Sequence, residues 1–267
     1  MRPIAWCGED LVEHLCMVAV AATVAYRGEW ETLSKRLGVD DALLPAAALA
    51  HDIGKALDKI QADARRRCER GDSPSFAFHE YVSFTALLST IDYPLGDRLE
   101  DRDPLLVAAS AALLHHHGMG RLQLPDESIR VGPEALHLRL GDLTRRDLQR
   151  PLDVYRDAVE AYNKVAERLG LARVEGVLAD PGEAELSAGM VIARLVRRGL
   201  LDVSTALEYP WLASIYPLAG MVSVADSLVA GLARAREPRG YAARVLEEKG
   251  VLASVVKALG EARRLCS

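Results

Sequence analysis

Apolar residues recur along most of the chain with the period of a helix, and no stretch alternates clearly enough to predict a series of strands. The period predicts helices over about 10–27, 41–58, 79–90, 102–117, 153–169, 183–199, 212–234 and 241–264, the last broken near Gly250. Turn-forming residues mark loops at Gly71-Asp72-Ser73-Pro74, at Tyr93-Pro94-Leu95-Gly96, across 118–133 and at Asp180-Pro181-Gly182. No internal repeat, low-complexity tract or shift in composition divides the chain. The expected architecture is all-α, a single helical domain over 1–267.

The longest nearly unbroken apolar run, Leu15 to Ala25, spans 11 residues and includes Thr23, which is too short to cross a bilayer. Acidic Glu9 and Asp10 come before any apolar stretch, so neither a signal peptide nor a membrane segment is expected, and the expected location is the cytoplasm.

Half of the 267 residues are apolar, enough for a sizeable core. A net charge of −5 argues against a broad nucleic-acid-binding surface. Arginines gather at Arg65 to Arg67 with Arg70, and at Arg145, Arg146 and Arg150; either group would serve for phosphates, but a solvated helix face is the plainer reading. Cys7, Cys16, Cys68 and Cys266 form no CxxC pair, so reduced thiols are expected rather than a zinc ribbon. One asparagine and three glutamines stand against 27 arginines and six lysines. So few heat-labile amides resemble a thermophile's usage, although the low lysine count does not.

The candidate chemistry lies in the histidines. All seven fall between positions 14 and 137. The most pointed pattern is His51-Asp52-Ile53-Gly54-Lys55, which follows the alanine-rich Ala46 to Ala50. Neighbours on a helix point about 100° apart, so an imidazole and a carboxylate can approach a metal from two sides. A carboxylate has two oxygens and can bridge two ions, whereas an imidazole offers one lone pair. Gly54 leaves the backbone uncovered, and Lys55 places a cation near any bound phosphate.

His14 shares a helix face with Leu11, Leu15 and Val18; alone, it reads as a core histidine with a satisfied ring. His79 opens a helix in line with Val82, Ser83 and Ala86, and alone it fits a polar N-terminal position equally well. In His115-His116-His117-Gly118, the stripe of Leu105, Ala108, Ala109, Ala112 and Leu113 extends to His116 and His117, with His115 at its edge. Three imidazoles at one apolar helix end favour metal binding. Asp226 sits among Val222, Ala225, Val229 and Ala230, where a carboxylate must be paired, protonated or bound to a metal. His137 belongs to no pattern.

The ordered set His14, His51-Asp52-x-Gly54-Lys55, His79-Glu80-x-x-Ser83, His116-His117-Gly118 and Ala225-Asp226-Ser227 resembles the HD nuclease of type I CRISPR interference, a branch of the HD superfamily that occurs fused to a superfamily 2 helicase or as a stand-alone protein. The resemblance covers residues 14 to about 230. It implies one metal held by His14, His51, Asp52 and Asp226, and a second held by Asp52, His79, His116 and His117, with Asp52 bridging. Asp52 and Lys55 would be catalytic, Lys55 facing the scissile phosphate, with Ser83 and Ser227 beside substrate. The extra His115 departs from the pattern and leaves the register of the His-His pair open by one residue.

Histidine-rich ligation favours manganese, iron, cobalt or nickel over magnesium alone. The implied mechanism is two-metal phosphodiester hydrolysis. No GxxxxGK[ST] phosphate loop is present, so a superfamily 2 helicase would act in trans, with a CRISPR RNA-guided surveillance complex, to expose single-stranded DNA. Two rival readings are an HD phosphohydrolase for nucleotides or cyclic nucleotides, and a binding subunit without turnover.

Overall fold

The computed structural model describes residues 2–90, 104–116, 143–175, 213–235 and 240–267. The expected helix over 183–199, the loops at 93–96, 118–133 and 180–182, and His117 and His137 lie outside them.

The chain opens with a small antiparallel hairpin, β1 (Ile4–Trp6) and β2 (Glu9–Asp10), with Ile4 opposite Asp10 and Trp6 opposite Glu9. There follow α1 (Leu11–Leu37), α2 (Leu43–Ala50), a 3-10 turn (Ile53–Ala56), α3 (Asp58–Glu69), α4 (His79–Leu88), α5 (Pro104–Leu114), α6 (Arg145–Leu169), α7 (Ile215–Ala235), α8 (Tyr241–Glu248) and α9 (Leu252–Cys266). The fold is helical, as the periodicity indicates. α1 is its axis: it packs against α2, α6, α7 and α9, while α4 packs on α5 and on the 3-10 turn. One hydrophobic cluster runs through all of these helices.

Where the structure departs from the pattern, local chemistry explains it. Gly28 reads as a stop, yet α1 continues to Leu37, because Trp30 and Ser34 are buried and Gly38 supplies the left-handed cap. Asp10 caps its start by accepting from the backbone of Val12 and Glu13. The single helix expected over 41–58 is two elements: Asp52, at φ −119° and ψ 7°, leaves the helical region and turns the chain into the 3-10 segment. The apolar run spans both pieces and hides that break. α3 is too charged to show a period, burying only Ile60, Gln61 and Ala64. α6 begins before Pro151, opened by a reciprocal Thr144–Asp147 capping box.

The arginine clusters behave as solvated faces. Arg66 and Arg67 lie beside Asp63, Arg70 beside Asp72, and Arg150 pairs with Asp58.

One expectation needs correction. The cysteines are not thiols: Cys7 bonds to Cys68 and Cys16 to Cys266. Separations of 61 and 250 residues leave no local spacing signal for either bridge. Helices Leu11–Leu37 and Ile215–Arg234 are long and apolar enough to cross a bilayer by length and composition alone. In α1, 72% of the apolar window is buried inside the protein, the mark of a core helix.

Candidate metal centre

Five helices and the turn after α2 deliver ionisable side chains to one place. His14 comes from the first turn of α1, His51 from the end of α2, and Asp52 from the turn after it. His79 is the first residue of α4, His115 and His116 follow α5, and Asp226 lies within α7. His14, His51, Asp52, His79 and His115 are all buried.

The helix ends orient the rings. Carbonyls in the last turn of a helix lack an intrahelical donor. His51 Nδ1 lies 2.6 Å from the Ala48 carbonyl, and His115 Nδ1 lies 2.6 Å from that of Ala112. His79 Nδ1 is 2.6 Å from the carbonyl of Phe76, an arrangement set by the left-handed Phe78 (φ 68°) just before α4. A ring that donates from Nδ1 to a carbonyl presents Nε2 to its other side, the side available to a metal. His14 differs: its Nδ1 lies 2.8 Å from Glu9 Oε1.

The Nε2 atoms converge around Asp52, whose two oxygens face different partners. Oδ1 is 2.7 Å from His79 Nε2 and 3.7 Å from His115 Nε2. Oδ2 is 3.4 Å from His51 Nε2, 3.7 Å from His14 Nε2 and 2.5 Å from Lys55 Nζ. Asp226 Oδ1 completes the second side, 3.1 Å from His14 Nε2 and 3.8 Å from His51 Nε2. His116 Nε2 faces His79 Nε2 at 3.1 Å.

Two sets of potential ligands result: Asp52, His79, His115 and His116; and His14, His51, Asp52 and Asp226. Within each set the donor atoms lie within 4.8 Å of one another. A cation fits this chemistry. Nε2 of His14, His51 and His115 and Oδ1 of Asp52 are buried without a hydrogen bond, which is costly unless something else satisfies them. Mixed imidazole and carboxylate donors suit first-row transition ions.

Among the described residues, His115 and His116 are the members of the histidine run that reach the site, and His115, placed by periodicity at the edge of the apolar stripe, is fully buried. α5 is buried on every side from Leu106 to Leu114, so its apolar stripe has no exposed edge and His115 continues the buried surface. His117, expected as a ligand, lies outside the described residues.

Ser83 also needs correction. It was expected beside substrate, but it is fully buried: its hydroxyl accepts from Gly54 N at 2.8 Å and donates to the His51 carbonyl at 3.1 Å, pinning α4 to the His51–Gly54 turn. Ser227 lies half-buried on α7, beside Asp226. Sequence reasoning overlooked Glu9 and Gln61; an acidic residue just before the helix carrying His14 was the only hint of the first.

Protonation of the rings follows their neighbours. Burial opposes charge on His14, His51 and His79, but the surrounding carboxylates outweigh it and raise all three, His51 to about 10. Burial and the neighbouring imidazoles push His115 well below its ordinary value, and burial and His79 lower His116. Burial alone would raise Asp52, yet Lys55, His51 and His79 hold it well below the usual carboxylate range.

At neutral pH, then, His51 carries a proton that a metal must displace. Divalent-ion uptake is expected to release protons, and affinity to rise with pH towards about 10. Calorimetry in two buffers of different ionisation enthalpy measures the release; pH-independent uptake without it would contradict this assignment.

These features define a helical protein with the donor set of a metal-dependent hydrolase. The family model described as the HD domain matches residues 12–231, and the chain belongs to the HD domain family. No curated protein and no solved structure matches the chain.

Proposed function

We propose that this protein is a metal-dependent nuclease that hydrolyses phosphodiester bonds of single-stranded DNA in CRISPR interference. The observation that carries the reading is the division of the Asp52 carboxylate, Oδ1 toward His79 and His115 and Oδ2 toward His14 and His51. One carboxylate shared between two donor sets is what a pair of ions on one phosphate requires. The ions, manganese, iron, cobalt, nickel or magnesium, would supply Lewis acidity, acidifying water and neutralising charge on phosphate oxygens.

The chain's own groups do the rest. His14, His51, Asp52 and Asp226 would hold one ion, and Asp52, His79, His115 and His116 the other. Lys55, paired with Asp52 and 14% exposed, is placed to meet a scissile phosphate at the rim. Ser227, next to Asp226 on α7, would stand beside substrate. The narrowing to a nuclease rests on the His79-Glu80-x-x-Ser83 and His-His-Gly elements of the sequence.

Without a phosphate loop the chain would work with a superfamily 2 helicase in trans and an RNA-guided surveillance complex, and not at a membrane. A cytoplasmic location and a thermophilic source are proposed together, because disulfides inside cells belong mainly to hyperthermophiles.

The test compares matched single-stranded DNA, duplex DNA and free deoxynucleotides in manganese-containing buffer. Single strands are expected to be cut and intact duplex largely spared. Preferential hydrolysis of the nucleotides would establish a phosphohydrolase instead; duplex cut as fast as single strands would refute the single-strand reading.

A further inference from the structure

We infer that Glu9 is a positioning residue for the ion subsite of His14, His51, Asp52 and Asp226, and that the N-terminal hairpin exists to hold it there. The inference rests on the metal-centre reading above. Three ligand rings fix their orientation on a backbone carbonyl three residues earlier. His14 has no such partner. The equivalent carbonyl, that of Leu11, begins α1 and belongs to the helical ladder. The Nδ1 of His14 instead meets the carboxylate of Glu9 at 2.8 Å.

That substitution has a chemical consequence. A carboxylate accepts a stronger hydrogen bond than a carbonyl and makes the far nitrogen of the ring a better electron-pair donor. His14 is thus the ring whose Nδ1 rests on a carboxylate alone, whereas the His51 and His115 rings lean on neutral carbonyls and His79 holds the Phe76 carbonyl at 2.6 Å with Glu80 farther off at 3.2 Å.

The position of Glu9 is secured from several directions. β2 pairs Glu9 with Trp6 of β1. The buried Gln61 of α3 clasps β1, accepting from Ile4 N at 2.9 Å and donating to Ile4 O at 2.9 Å. The same amide donates to the Lys55 carbonyl at 2.8 Å, which ties the hairpin to the turn bearing Asp52 and Lys55. The Cys7–Cys68 bridge fastens the hairpin tip to α3. A two-stranded hairpin this short does not hold its shape in water alone. Here it is anchored at each end, and the side chain it presents inward from β2 is Glu9, whose side chain is 16% exposed.

The experiment is titration of the full chain with manganese by calorimetry, with bound metal counted by elemental analysis. Glu9→Gln and Glu9→Ala are compared with the parent and with Glu13→Gln, a control for a nearby carboxylate that faces Arg263 rather than the site. The parent is expected to take up two ions. Glu9→Gln, which keeps an acceptor but loses the charge, is expected to weaken one of them about 10-fold, and Glu9→Ala about 100-fold. The other ion and the Glu13→Gln variant should be unchanged. Two parent-like events in both Glu9 variants, or equal weakening of both ions, would overturn the inference alone. A parent that binds no ion would overturn the metal-centre reading and this inference with it.

Discussion

Asp52→Ala is expected to abolish metal-dependent cleavage, lowering the rate by roughly 1,000-fold or more, the loss typical of removing a main electrostatic element of an active site. The residue is 1% exposed and its two oxygens serve both donor sets, so truncation dismantles both at once. It also leaves Lys55 and the raised His51 and His79 rings without their common counter-charge, so the metal-free variant should be less stable by about 3 kcal/mol. Asp52→Asn separates the two effects: it keeps the shape of the side chain but cannot balance charge or bridge two ions. Both variants should be assayed on single-stranded DNA with added manganese, alongside circular dichroism to confirm the helical fold. Parent-like cleavage by either variant would remove Asp52 from the centre of the mechanism.

The second large effect is expected at a residue with no functional group. A Cβ on Gly54 would overlap the carbonyl oxygen of His79 and stand 2.7 Å from the Ser83 nitrogen and 2.8 Å from Val82 Cβ. Two of those atoms belong to the backbone of α4, which cannot move aside as a flexible side chain does. Gly54→Ala must therefore push α4 away from the turn, carrying His79 off the Asp52 carboxylate and breaking the Ser83 bridge. The expected cost is about 3 kcal/mol in stability, at the upper end for overpacking. Loss of the ion held by His79 should accompany it. Denaturant unfolding and metal counting check both; a midpoint and stoichiometry equal to the parent would show that the contact yields.

These two residues illustrate what the sequence made legible. Its chemistry-bearing residues stood out: His14, His51, Asp52, His79, His116 and Asp226 are drawn from α1, α2, the turn, α4, the end of α5 and α7, and the structure gathers all of them into two donor sets. Residue type and helical phase marked them as candidates, and the resemblance of the ordered set assigned His14, His79 and Asp226 as ligands. What stayed hidden was whatever helical period alone does not carry. Asp52 lies in a turn rather than on a helix, His115 follows a helix buried on every side, and Gly54 matters for the α4 backbone it touches. Ser83 was read by its place in a motif and proved to be a clamp between α4 and the turn. The disulfides and the Glu9 hairpin are contacts between distant segments, which periodicity does not encode.

The Cys16–Cys266 bridge joins the ligand-bearing helix α1 to α9, and Cys7–Cys68 closes a smaller ring that overlaps its span. Together they enclose every peptide bond between Cys7 and Cys266 in a covalent ring. Any single peptide-bond cut between Cys7 and Cys266 leaves the fragments joined as one molecule, and the unfolded chain can never stretch to its full contour. A protease that nicks this protein once opens a ring rather than dividing a chain.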